Sequence, residues 1–254
     1  MMKILLLGIV SYCFVVISSQ ALTAQSKLDS LHQNVTSKKG KEKALSYLEL
    51  SNYYKSLFPD SAIYYAQQAL TIGESQKDVL VQAKSLSALG EIYQIKTQLQ
   101  ESIEYYFKAI EIAEKNAEET SLGTSYNGLG LSFYMLNDFE KAELYIKKGA
   151  AKKLELKDYT YYSVITTNLA ALYFYNQRYD EAIKLLKDAE AILVKDNQGY
   201  YLATLYNSLG GTYQMGLNDL DSAEYFYKKG LEFATKNDIF QSVITGYHNL
   251  GELS

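Results

Sequence analysis

A small residue that follows a leucine recurs along this chain at nearly constant intervals. It stands at Ser51, Gly90, Gly130, Ala170, Gly210 and Gly251, spaced 39, 40, 40, 40 and 41 residues apart. An aromatic residue lies three positions further on in the first five copies, as Tyr54, Tyr93, Phe133, Tyr173 and Tyr213. A second set follows at matching offsets: Ala62, Ala66 and Ala69; Ser102, Tyr106 and Ala109; Ala142, Ile146 and Gly149; Ala182, Leu186 and Ala189; Ala223, Tyr227 and Gly230. Steps of four and three put each trio on one helical stripe. Small residues on such a stripe let a neighbouring helix approach, and the large one fills the remaining gap. A unit of this length cannot bury its apolar face alone, so copies must stack on one another.

Turn signals fall between the halves at Pro59-Asp60, Asn137-Asp138 and Asn218-Asp219, where a helix must stop and the next be capped. Lys77-Asp78, Lys157-Asp158, Lys195-Asp196-Asn197 and Asn237-Asp238 mark the ends of the second helices. No stretch from Lys41 onward shows sustained strand-type alternation, and there is one proline in 254 residues. Each repeat therefore reads as a helical hairpin and the chain as all-α. Repeats are expected at 41–78, 79–118, 119–158, 159–198 and 199–238, with 239–254 as the first helix of a sixth. Residues 25–40 read as a short capping helix and a linker. Replacing Gly40 in that linker is expected to cost less than replacing the packing glycines Gly130 and Gly210.

This order of residues resembles the tetratricopeptide repeat family. Tyr126-Asn127-Gly128-Leu129-Gly130 with Phe133, Ala142 and Ile146 carries the likeness, as does Tyr206-Asn207-Ser208-Leu209-Gly210 with Tyr213, Ala223 and Tyr227. It covers about Lys41 to Ser254. The period is longer than the family's usual one, the proline common near the repeat end is absent, and the long helices look like those of bacterial peptide-sensing regulators. The resemblance implies a right-handed α-solenoid of antiparallel helical hairpins whose first helices line a concave face. On that face it points to Gln94 in repeat two, Asn127 and Tyr134 in repeat three, Phe174 in repeat four, and Asn207 and Gln214 in repeat five. Lys84, Ser87 and Glu91 share the face in repeat two. From Thr124 to Gln214 the strip carries no formal charge. It offers amides that both donate and accept, with two rings and small residues beside them. Only Lys84 supplies a cation there, so the carboxylate clamp of some relatives is not expected.

The first residues read as an address. Lys3 precedes an apolar run from Ile4 to Ile17, and small residues follow at Ser19 and Ala21. This is the pattern of a secretory signal peptide over residues 1–24, with cleavage after Ala21 or Ala24. The run is short for a membrane span, which takes about 20 residues. The chain is expected on the periplasmic or outer-envelope side of a bacterial cell, or membrane-anchored if the leader is kept.

Chemistry-bearing clusters are scarce. One Cys, inside the leader, and two His give no metal-ligand spacing. Gly128-Leu129-Gly130 and Leu209-Gly210-Gly211 lie in helical patterns, so they are packing glycines rather than phosphate loops. No catalysis and no cofactor are expected. A net charge of −4 disfavours nucleic acid, whose phosphates need cations. The expected function is a non-catalytic scaffold that binds a protein or peptide. The alternative is the extracytoplasmic sensor region of a longer histidine kinase or transcription regulator. Tyr247, Leu250 and Gly251 form an anchor set that asks for a partner helix, and the sequence reads as cut from a longer protein.

Overall fold

The computed structural model describes residues 26–195 and 199–253, and all regular structure among them is helical. The leader expected over residues 1–24 lies outside the described residues. The chain divides into two compact units between Thr97 and Gln98. The first holds α1 (residues 26–37), α2 (Gly40–Tyr54), α3 (Pro59–Gln76) and α4 (Val79–Ile95). The second holds α5 (Leu99–Lys115), α6 (Leu122–Met135), α7 (Phe139–Glu155), α8 (Tyr159–Tyr175), α9 (Tyr179–Lys195), α10 (Gly199–Gly211), α11 (Leu220–Lys236) and α12 (Phe240–Glu252). In each unit consecutive helices pack against one another, α2 on α3 and α3 on α4, then α6 on α7 through to α11 on α12. This is the all-α solenoid architecture of stacked antiparallel hairpins.

The beat of the fold is half a repeat. Lys77, Thr97, Ala117, Asn137, Lys157, Gln177, Asn218 and Asp238 all have φ between 53° and 61°. A left-handed residue ends a helix because its N–H, and that of the residue after it, turn back to the last free carbonyls. At Lys77 those bonds run from Lys77 N to Glu74 O and from Asp78 N to Gly73 O, at 3.1 and 2.9 Å. Four of these joints then place an Asp as the next N-cap. Asp78, Asp138, Asp158 and Asp219 accept from the backbone N–H of Val81, Lys141, Tyr161 and Ser222 at 3.0–3.3 Å. None of the eight joints uses glycine, although glycine adopts this conformation most easily. Gly40 does adopt it, with φ 55°, and a Cβ there would stand 2.8 Å from the Gln76 amide. Replacing Gly40 therefore carries backbone strain that a linker position would not.

The small anchors are explained by helix contact. A Cβ at Gly130 would lie 2.6 Å from Ile146 Cγ1 and 2.9 Å from Ala142 O. At Gly210 it would lie 2.5 Å from the Tyr227 ring, while at Gly251 nothing is within 4 Å. Alternate repeats add a sandwich of three rings, one from the second helix held between two from the first. Tyr65 lies between Tyr47 and Tyr54, with centroids 6.0 and 5.7 Å apart. Tyr145 lies between Tyr126 and Phe133 at 6.2 and 5.6 Å, and Phe226 between Tyr206 and Tyr213 at 6.2 and 5.4 Å. The fourth repeat has Thr166 and Leu185 at two of these places and makes no sandwich.

Repeat five is one residue longer than its neighbours between its small anchor and its second helix (Gly210 to Ala223, against Gly130 to Ala142). The structure absorbs that residue as a π-helical turn, Thr212–Leu217, at the end of α10. Such a turn keeps both anchors on the helix interface at the expense of regular bonding between them.

Candidate functional site

The expected strip falls on α6, α8, α10 and the π-turn of the second unit, except for Gln94, which belongs to α4 of the first. Gln94 is half-buried and already engaged with a neighbour. The other five residues separate into three settings.

Asn127 and Asn207 lie where each first helix crosses its second helix. A Cβ at Gly149 would come 3.1 Å from the Asn127 backbone N, and one at Gly230 would come 3.0 Å from Asn207 Oδ1. Asn127 Oδ1 accepts from Asn168 Nδ2 of the next repeat at 3.2 Å. Asn207 Oδ1 is buried and has no hydrogen-bond partner among the described residues. Most buried acceptors are satisfied, so one that is not asks for an explanation. Asn168 stands one position past Thr167, which lies 40 residues from both Asn127 and Asn207 and so shares their register. Thr167 instead donates its hydroxyl to Ser163 O of its own helix at 2.8 Å.

Tyr134 and Phe174 lie at the C-terminal ends of α6 and α8 and join a run of rings. Tyr134 is 5.9 Å from Phe139 and 6.2 Å from Tyr175, centroid to centroid. Phe174 is 5.7 Å from Tyr175 and 5.4 Å from Tyr179. Burial, then the neighbouring Tyr175, pushes the Tyr134 hydroxyl above its ordinary pKa, so it is a neutral donor at physiological pH. Tyr175 and Tyr179 were not expected in the site. Their only sequence signal is an aromatic residue on each side of the repeat-four turn.

Gln214 sits within the π-turn, and its Oε1 accepts from the Tyr227 hydroxyl at 2.8 Å. The extra residue thus ties the glutamine to the second helix. Its counterparts Tyr134 and Phe174 instead meet rings beside the turns.

Charge stands on the second helices, around the ring sandwiches. At the repeat-five sandwich Glu190, on the second helix of repeat four, accepts from the Tyr206 hydroxyl at 2.7 Å and from Lys229 at 2.9 Å, and Lys229 lies 4.6 Å above the Tyr206 ring. Burial and Glu190 push the Tyr206 hydroxyl up to about 12. In repeat three the Tyr126 hydroxyl donates to Glu114, and Lys148 lies 5.5 Å from the Tyr126 ring centroid. Ile110, on the second helix of repeat two, takes the place that Glu190 has on that of repeat four. No group of three His, Cys, Asp or Glu among the described residues is arranged to hold a metal ion. No described helix is long and apolar enough to cross a membrane.

Residues 81–151 and 161–236, more than half of the chain, match the model of the tetratricopeptide repeat. The chain belongs to the tetratricopeptide repeat family. Over 214 residues this tetratricopeptide repeat chain is 27% identical to the transcriptional activator NprA of Geobacillus stearothermophilus, covering 80% of this chain and 51% of NprA. It thus spans about half the length of that relative. Among solved structures it is similar to BtubC (BKLC) from P. vanneervenii, with a TM-score of 0.66 and 19% identity over 87% of this chain and 92% of that one. It is also similar to a Rap protein complexed with Competence and Sporulation Factor, with a TM-score of 0.64 and 18% identity over 87% of this chain and 66% of that one. At these identities the likeness to the tetratricopeptide repeat structures is one of fold.

Proposed function

We propose that the second unit is a protein- or peptide-binding scaffold that uses the strip formed by Asn127, Tyr134, Phe174 and Asn207, with no chemistry of its own. The observation that carries this reading is the run of rings that Tyr134 and Phe174 join at the ends of consecutive first helices. Asn127 and Asn207, both half-buried, offer side-chain amides to the backbone of an extended segment. Tyr134 and Phe174 supply apolar contact further along the same helices. The strip holds no formal charge, so binding should weaken little with salt.

A second reading has a specific observation behind it. The match to NprA takes in 51% of that activator, so this chain would serve as the ligand-sensing region of a longer regulator. Both readings require a bound peptide or protein. Export through residues 1–24 belongs to the proposal as well, and N-terminal sequencing of envelope material should begin at Leu22 or Gln25. Retention of Met1 would replace export by anchoring.

The test of the strip is a selection of binders from a display library of unstructured peptides on the whole chain. Selected peptides are then measured against the Asn127→Ala/Phe174→Ala/Asn207→Ala variant, once circular dichroism shows that it folds. An affinity at least about tenfold lower, a change of about 1.4 kcal/mol, is expected. Unchanged affinity for every selected peptide overturns the strip.

A further inference from the structure

The turns of repeats three, four and five leave an apolar ridge exposed along one edge of the second unit. Met135 and Phe139 flank the first turn and are 43% and 39% exposed. Tyr175 at the second turn is 67% exposed. Met215, Leu217 and Leu220 around the third are 69%, 44% and 48% exposed. These side chains are linked rather than scattered. The ring contacts run from Phe139 to Tyr134, Tyr175, Phe174 and Tyr179. Tyr179 then lies against Gly216, where a Cβ would come 2.6 Å from its Cδ1. Gly216 belongs to the π-turn, so the inserted residue seats the ring of repeat four beside Met215 and Leu217 of repeat five. A continuous exposed apolar patch marks an interaction surface, whereas single exposed apolar residues do not.

The charge beside the ridge selects the occupant. The second helices begin here, and their first turns carry Glu140, Asp180, Glu181 and Asp221. Two cations at the same edge are already used, and Lys184 stands one turn beyond Asp180. Lys141 pairs with Asp138 at 2.7 Å, and Arg178 pairs with Glu181 and Glu143 at 2.5 Å. Glu140, Asp180 and Asp221 are exposed and make no ion pair among the described residues. The edge is therefore apolar along its crest and negative along its flank.

The geometry points to a docking surface on this edge for a basic amphipathic helix of a partner protein, apolar face on the ridge and Lys or Arg beside Glu140, Asp180 and Asp221. It goes beyond the strip reading and does not depend on it. A helix covers the ridge with residues three and four apart, and its cations lower the repulsion among the three carboxylates. The carboxylates contribute chiefly to orientation and to the rate of encounter, and the ridge contributes to residence.

The test uses the full chain and two labelled peptides of roughly 18 residues with the same leucine face, one with Lys and one with Glu on the polar face. The basic peptide should bind with a defined stoichiometry, about tenfold or more tighter than the acidic one, and should weaken as salt rises. The Phe139→Ser/Tyr175→Ser/Met215→Ser variant should lose about tenfold or more with its helical dichroism and melting temperature kept. Glu140→Lys/Asp180→Lys/Asp221→Lys should reverse the preference between peptides. Equal binding of both peptides, or an unchanged ridge variant, overturns the proposal. Two other outcomes overturn it as well. One is a concentration-dependent dimer abolished by the ridge substitutions without peptide binding, and the other is binding to phosphatidylcholine vesicles in place of the peptide. The Asn127→Ala/Asn207→Ala variant should bind the basic peptide as the parent does, so failure at the strip and failure at the ridge are read separately.

Discussion

Repeats three and five begin from nearly the same residues and end in different states. Both place Tyr-Asn at the start of the anchor set, both build a three-ring sandwich, and both press a glycine against the second helix. In repeat three the helix is regular, Asn127 is paired with Asn168, and Lys148 rests on rings without a carboxylate. In repeat five one added residue makes a π-turn, Asn207 keeps a buried acceptor without a partner, and Lys229 is paired with Glu190 on the Tyr206 ring. The difference teaches that motif positions secure the hairpin while the residues beside them, and a single insertion, decide what the hairpin presents.

The largest effect should come from the glycines. Gly130→Ala meets backbone atoms that cannot step aside and should cost about 2–3 kcal/mol by overpacking. Gly210→Ala meets the Tyr227 ring and should cost about 1–2 kcal/mol. Gly251→Ala meets nothing and should gain about 0.5–1 kcal/mol, since alanine is the better helix former. Urea titration of the three variants reads the order. A loss at Gly251 like that at Gly130 would mean that this glycine is packed.

Next comes Glu190, the carboxylate that repeat four lends to the sandwich of repeat five, where repeat two offers Ile110 to that of repeat three. Glu190→Ala leaves the buried Tyr206 hydroxyl without its acceptor and should cost about 1–3 kcal/mol. Removing the Lys148 ammonium with Lys148→Met takes away only a solvated cation above a ring, about 0.5–1 kcal/mol. Equal losses in thermal melts would show that the two ring sites are alike.

The asparagines should differ more subtly. Asn127→Ala breaks a hydrogen bond and should cost about 1 kcal/mol, whereas Asn207→Ala removes an acceptor with no partner and should be nearly neutral. Matching losses in denaturant melts would mean that Asn207 is satisfied within the fold.

The smallest effect is one of pH. The Arg178 guanidinium, with Lys147, holds the Glu143 carboxyl at about 2, from an ordinary 4.5. A depressed carboxylate contributes stability above its unfolded pKa and loses it as pH falls through the folded one. The window is therefore from about 4.5 down to about 2. Its counterpart Glu224 pairs only with Lys228 on its own helix, at 2.6 Å. Glu143→Gln should flatten the acid limb of the melting temperature over that window, and Glu224→Gln should leave it as it was.

Much of the fold was legible because its signals are local. The spacing of Leu89-Gly90, Leu129-Gly130 and Leu209-Gly210 sets where two helices touch. Asp78, Asp138, Asp158 and Asp219 announce helix starts by satisfying amides within their own turn. The site was legible only as a list of faces. The register gave Asn127 and Asn207 the same place on their helices, and each lies against the second helix of its own repeat. That Asn127 is paired and Asn207 is not depends on the neighbouring repeat, which no motif position encodes.

What the sequence determined by itself is the all-α class, the twenty-residue beat of helix and turn, and the small anchors, since each follows from contacts within one hairpin. Tertiary structure alone decided three further matters. It put the extra residue of repeat five into a π-turn rather than a longer loop, because both anchors had to stay on the helix interface. It paired the rings of one repeat with those of the next along an exposed edge. It separated the chain between Thr97 and Gln98, a division that the nearly even repeat spacing conceals. These outcomes rest on side chains distant in sequence competing for the same space, and periodicity records only which residues face inward.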